Sequence, residues 1–144
     1  MPAEVFEYLT KTFNEDNITS KYKEYHKIFF LNEKNEDESL YGQARKICSK
    51  EVVVLAPGLH DTTCAHELFH ALGLYHSFSS SNLHTFEKNK TDNIMDYSDI
   101  SDKPIPVVAT WQFQWNILQE NLPTVEQWKE NKRKREEKKK QINK

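Results

Sequence analysis

The run His66-Glu-Leu-Phe-His70 sets two imidazoles four residues apart, with a carboxylate directly after the first. On an α-helix that spacing amounts to about 40° of rotation and about 6 Å of rise, so both rings can grip one ion. Glu67 stands about 100° further round the same helix. Its carboxylate therefore falls beside the open position of such an ion, where it can take a proton from water. The opposite face, Cys64, Leu68, Ala71 and Leu72, is apolar and suited to packing beneath a sheet. One helix then has a core side and a metal side.

Two imidazoles are too few for catalytic zinc, and the continuation Ala71-Leu-Gly-Leu-Tyr-His76 offers a third. A helix running on past residue 73 would leave His76 roughly 9 Å beyond His70 along the axis and pointing elsewhere. Gly73 removes that obstacle, because glycine takes positive φ readily and lets the chain turn back toward the ion. Three neutral nitrogens and one water make the open geometry of catalytic zinc, whereas structural zinc is closed by four protein ligands and rich in Cys. A bare H-E-x-x-H arises by accident in on the order of one chain in fifty of this length, and adding Gly73 and His76 makes the accident roughly four hundred times rarer.

Such a site needs rigid elements to hold it. Apolar residues at Val5, Phe6, Leu9 and Phe13 predict an amphipathic helix over Val5 to Asn17. His26 to Leu31 and Glu51 to Ala56 read as strands, the second rich in β-branched residues, and Tyr41 to Arg45 as a short one. Pro57-Gly58 ends the last of these. Asp61 is placed to cap a helix over Thr62 to Leu72, which Gly73 closes in the left-handed conformation. Residues 77–93 are polar and read as a loop, and a final helix is expected from about Ala109 to Asn121, before Pro123. The expected class is α+β: a small mixed twisted sheet with an active-site helix and a C-terminal helix.

H-E-x-x-H-x-x-G-x-x-H, here His66 to His76, resembles the zinc-binding signature of the metzincin peptidases, and Asn93-Ile-Met-Asp-Tyr97 resembles their Met-turn. Gly73 to Phe78 and Thr91 to Tyr97 look most like the pappalysin-like members and related bacterial enzymes. The resemblance is strong from about residue 60 to residue 98. It implies one catalytic Zn²⁺ on His66, His70 and His76, Glu67 as general base, and Met95 beneath the metal. Tyr97, two residues after Met95, would ligate the resting metal or donate to the developing oxyanion. Tyr41 to Ala44 is similar to the cleft-edge strand of the group, so a peptide or protein substrate would lie extended along Gly42, Gln43 and Ala44. The implied activity is endopeptidase, in a secreted or delivered protein. Metzincin domains usually place a longer stretch before the zinc helix than the 65 residues found here, which suggests a minimal or truncated form. An alternative keeps the zinc but makes the chain an effector, toxin or peptide-binding module with little general proteolysis.

The remaining features narrow the reading. A length of 144 residues fits one core, placed here in residues 1–124, with residues 125–144 as a basic tail. Residues 129–144 carry nine Lys/Arg against three Glu, a local +6 that leaves −8 on the rest of a chain of net charge −2. Glu130 with Lys134 and Glu136 with Lys140 are favourable helical pairs, so the tail reads as a solvated helix or a disordered end. A nucleic-acid partner is not expected. A monomer is. No stretch approaches the roughly 20 apolar residues of a membrane helix, and the first residues lack the basic and apolar regions of a signal peptide. Cys48 and Cys64 either pair once or are small buried hydrophobes, and nothing beyond its presence marks Cys48 as an inhibitory thiolate. His26 and His60 read as solvated or capping residues, and His84 as a loop residue that would at best face the cleft. Asp92 and Asp96 are expected to brace the turn, with calcium as the other reading.

Overall fold

A computed structural model of the chain describes residues 1–36, 39–122, 127, 130 and 133. Among these the architecture is mixed α+β, a three-stranded sheet with three α-helices. The helices are α1, Ala3–Glu15, α2, Thr63–Ala71, and α3, Gln112–Asn121; the strands are β1, Lys27–Leu31, β2, Gly42–Ala44, and β3, Glu51–Leu55. β3 lies in the centre, parallel to β1 from Lys27 opposite Glu51 to Leu31 opposite Leu55, and antiparallel to β2 with Gln43 opposite Val53. No helix among the described residues is long and apolar enough to cross a membrane.

The β-branched run of β3 has no polar face because both of its faces are covered. Alternate side chains enter two clusters: Val53 and Leu55 pack with Phe6 of α1, while Val52 and Val54 pack with Ala44, Ala71 and Cys64. Each such side chain, removed fully from water, contributes on the order of 2 kcal/mol to holding a helix on the sheet. A third cluster, Leu72, Leu74, Met95 and Leu118, joins the end of α2 to α3.

Several boundaries differ from the sequence reading. α1 starts two residues earlier than expected and ends at Glu15, where Asp16 turns extended and accepts from the N–H groups of Ile18 and Thr19. β3 stops at Leu55, and Ala56–Gly58 forms a single 3-10 turn. The largest correction falls on the last helix: Ala109 bridges to Asn93 instead of starting α3, which begins at Gln112 after Trp111. Gln114 explains that start, since its Oε1 accepts the Trp111 N–H at 2.8 Å in the manner of a capping box. Cys48 and Cys64 are both free; Cys48 is exposed, so of the two it is Cys64 that packs as a hydrophobe. The tail assigned to residues 125–144 lies almost wholly outside the described residues, within which Arg133 pairs with Glu130 at 2.9 Å.

Candidate metal centre

α2 begins where the Asp61 carboxylate accepts the Thr63 N–H at 2.8 Å, a capping bond made from one residue before the helix boundary. It ends in a Schellman motif. Gly73 adopts φ +107°, its N–H bonds to the His70 carbonyl at 3.0 Å, and the Leu74 N–H bonds to the Phe69 carbonyl at 2.9 Å. The reversal carries Leu74 into the core and returns His76 toward the helix it has just left. A bond of 2.9 Å from the Ser77 N–H to the Met95 carbonyl then ties the third histidine's segment to the turn at residues 93–97.

One ligand nitrogen from each of His66, His70 and His76 lies within 4.8 Å of the others, and His70 and His76 approach to 3.1 Å between their Nε2 atoms. Nitrogens sharing a tetrahedral zinc stand about 3.3 Å apart at the usual bond length, close to that pair. The Nδ1 atoms of His66 and His70 face the carbonyls of Ile94 and Leu74 at 2.7 and 2.6 Å. A carbonyl only accepts, so both rings carry their proton on Nδ1 and turn a bare Nε2 inward, the form and support that metal-ligating imidazoles show. His66 Nε2 is buried and has no hydrogen-bond partner. An orphaned acceptor of this kind, beside two further imidazole nitrogens, fits a soft-to-borderline divalent cation such as zinc. Burial is the main reason all three rings resist protonation. It acts with neighbouring His70 to hold His66 at about 3, and with His70 and Lys88 to hold His76 at about 4; His70 is lowered too.

Glu67 lies on the same cleft. Burial raises its pKa, and a hydrogen bond of 2.7 Å from the Ala44 N–H to Oε2 opposes that rise. The Tyr97 hydroxyl lies 2.6 Å from His76 Nε2, and its ring stacks on His66 at 5.5 Å between centroids. Burial, then the charge of Glu67, keeps the phenol protonated to higher pH than usual. A cavity of about 480 Å³ opens against this group, with Tyr41 and Gly42 on the strand side, Thr63 and Glu67 on the helix side, and Tyr97 and Ile100 opposite.

No family model, curated protein or solved structure matches this chain. The site therefore stands on its own geometry.

The structure brings His66, His70, His76, Glu67 and Tyr97 together, and buries Met95 completely among Leu72, Leu74 and Leu118. Gly42 lines the cavity through close approach: a Cβ there would stand 2.6 Å from Thr63 Cγ2 and 3.0 Å from the Val53 carbonyl. Gln43 turns its side chain elsewhere, accepting from the Met1 amino group at 2.6 Å. Bonds from Leu55 to Tyr41 and from Arg45 to Glu51 show that the odd residues of β2 face β3, leaving the backbone of Gly42 and Ala44 to face outward. Other candidates lie apart from the triad. His84 is exposed against Phe113 at 5.3 Å, His60 is exposed, and His26 sits half-buried before β1. Asp96 braces the turn, its carboxylate taking the N–H groups of Asn89, Thr91 and Tyr97 and the Thr91 hydroxyl. The sequence gives no sign of the Ala44 bond to Glu67, of the Gln114 amide paired with Asn93, or of the segment around Lys88, whose ammonium stands 5.2 Å from the ring centres of both Phe78 and Tyr97.

Proposed function

We propose that this chain is a zinc-dependent metalloendopeptidase of metzincin type, closest in its motifs to the pappalysin-like enzymes. The observation that carries the reading is the convergence of three imidazoles, with the half-buried Glu67 carboxylate and the Tyr97 phenol beside His66 at the edge of one cavity. His66, His70 and His76 would hold the ion. Zinc, when bound at such a site, supplies Lewis acidity toward a carbonyl oxygen and makes water more acidic.

The rest of the chemistry belongs to the chain. Glu67 removes one proton from the attacking water as its oxygen bonds to the scissile carbonyl carbon, then passes that proton to the nitrogen of the leaving amine as the C–N bond breaks. The raised pKa that burial gives Glu67 suits it to both transfers. Tyr97 donates its hydroxyl proton as a hydrogen bond to the oxygen on which charge develops. The outward backbone around Gly42 provides an edge along which an extended peptide can pair, while the Ala44 N–H is committed to the Glu67 carboxylate.

Glu67→Ala should keep a full zinc content by elemental analysis while peptide hydrolysis falls by at least about 10²-fold. His70→Ala should lose the metal as well. Cleavage of a random peptide library at neutral pH, suppressed by phenanthroline, is the direct assay. Undiminished turnover in Glu67→Ala would refute the assignment, and an intact library beside zinc-loaded protein would leave only a zinc-bearing binding module.

A further inference from the structure

Gln114 lies in α3, far along the chain from the three histidines, and is 2% exposed. A buried carboxamide must spend all its hydrogen-bonding groups on neighbours, and Gln114, besides capping α3 at the Trp111 N–H, directs both ends of its amide at the turn that carries Met95. Its Oε1 accepts from Asn93 Nδ2 at 2.8 Å and its Nε2 donates to Asn93 Oδ1 at 2.9 Å, a reciprocal pair with Asn93 fully buried. Asn93 Oδ1 accepts a second bond, 3.0 Å from the Met95 N–H. Between the two clamped residues stands Ile94, whose N–H bonds to the Ala109 carbonyl at 2.8 Å and whose own carbonyl faces His66 Nδ1 at 2.7 Å. The carbonyl that sets the His66 tautomer is thus held on both sides by one amide pair and behind by Ala109.

We infer that Gln114 is a positioning residue for the metal site, acting through Asn93 and the Ile94 carbonyl to aim the imidazole of His66. The inference rests on the metal reading proposed above. His66 is the ligand for which this support counts most, since its Nε2, alone among the three Nε2 atoms, has no hydrogen-bond partner to hold the ring from the other side. His70 takes its orientation from Leu74 in the turn directly after α2, which α3 does not clamp in this way. Loss of Gln114 therefore loosens one ligand of three, and outer-shell partners of this type typically change metal affinity by roughly 10- to 100-fold.

Gln114→Met keeps the length and volume of the side chain and removes both amide groups. Zinc affinity of the full chain is read by competition with a chromophoric chelator, and ligand geometry by the visible absorption of the Co²⁺-loaded protein. Gln114→Met should bind zinc roughly 10- to 100-fold more weakly than the wild type and shift or weaken the cobalt bands. Phe6→Leu, in the cluster on the α1 face of the sheet and chosen to lower the melting temperature, should leave both unchanged. Should Gln114→Met not fold, Gln114→Glu keeps the Oε1 acceptor, replaces the donor to Asn93 with a second acceptor, and should move both readouts in the same direction. Wild-type affinity and cobalt bands in a folded Gln114 variant would overturn the inference, as would an equal loss in Phe6→Leu. A wild-type chain that takes neither zinc nor cobalt would overturn the metal reading itself.

Discussion

Tyr97 shares the His76 Nε2 atom with His70: its hydroxyl lies at 2.6 Å and the His70 nitrogen at 3.1 Å. A phenol so close to an imidazole nitrogen, with its ring stacked on His66, has little freedom to point anywhere but into the cleft. Tyr97→Phe keeps the stack and deletes one donor, so kcat should fall by about 10²-fold with zinc content unchanged. A variant with wild-type kcat would reduce Tyr97 to a packing residue. At this scale the sequence was informative wherever chemistry depends on short spacing. His66, Glu67 and His70 share one helix, and Gly73 with His76 follow within a turn of it. Gln114 and the Ala44 N–H were invisible, because each meets its partner across more than twenty residues and a backbone donor leaves no mark on residue type. Gly42 was read as substrate edge. Its closeness to Thr63 adds a second reason for glycine, set by how tightly α2 lies on β2.

Among the elements, the end of α2 is the most sharply specified. Gly73 has φ +107° and its absent Cβ would stand 2.5 Å from Asn121 Nδ2. Gly73→Ala therefore imposes backbone strain and obliges the exposed Asn121 side chain to move aside, and should lower stability by about 1–3 kcal/mol, read from the urea midpoint. Metal affinity should fall with it, because the same turn returns His76 to the site; a stable variant with normal zinc affinity would contradict this. The helix and strand patterns were legible because burial imposes periods of about 3.6 and 2 on apolar residues. β3 was legible for a related reason, its unbroken β-branched run reflecting cover on both faces. The expected start of α3 falls three residues early because Trp111 adds apolar bulk directly before the helix and so reads as its first turn. What ends the preceding segment is pairing between Ala109 and the distant Asn93, which no local pattern encodes.

For the molecule as a whole, the acid limit of stability should carry a contribution from Asp96. Burial alone would raise its carboxyl, but hydrogen bonds from Thr91, Asn89 and Tyr97 outweigh that and hold it below the ordinary value. A carboxylate with a lowered folded-state pKa stabilises the fold above the unfolded pKa of about 3.9, and that stabilisation disappears as pH falls through the folded value. Asp96→Asn should thus be less stable than the wild type by about 1–3 kcal/mol at pH 7, with the gap narrowing below about pH 4. A gap that persists undiminished to pH 2.5, measured by urea unfolding at each pH, would exclude the carboxylate as its source.

The bond between Ala44 and Glu67 gives the fold a mechanical property. The strand that borders the cleft is coupled to the Glu67 side chain, because a backbone N–H of β2 donates directly to its carboxylate. Any shift of β2 relative to α2 must either lengthen this 2.7 Å bond or draw the side chain along with the strand, so where the carboxylate sits depends on how the outer strand lies against the helix.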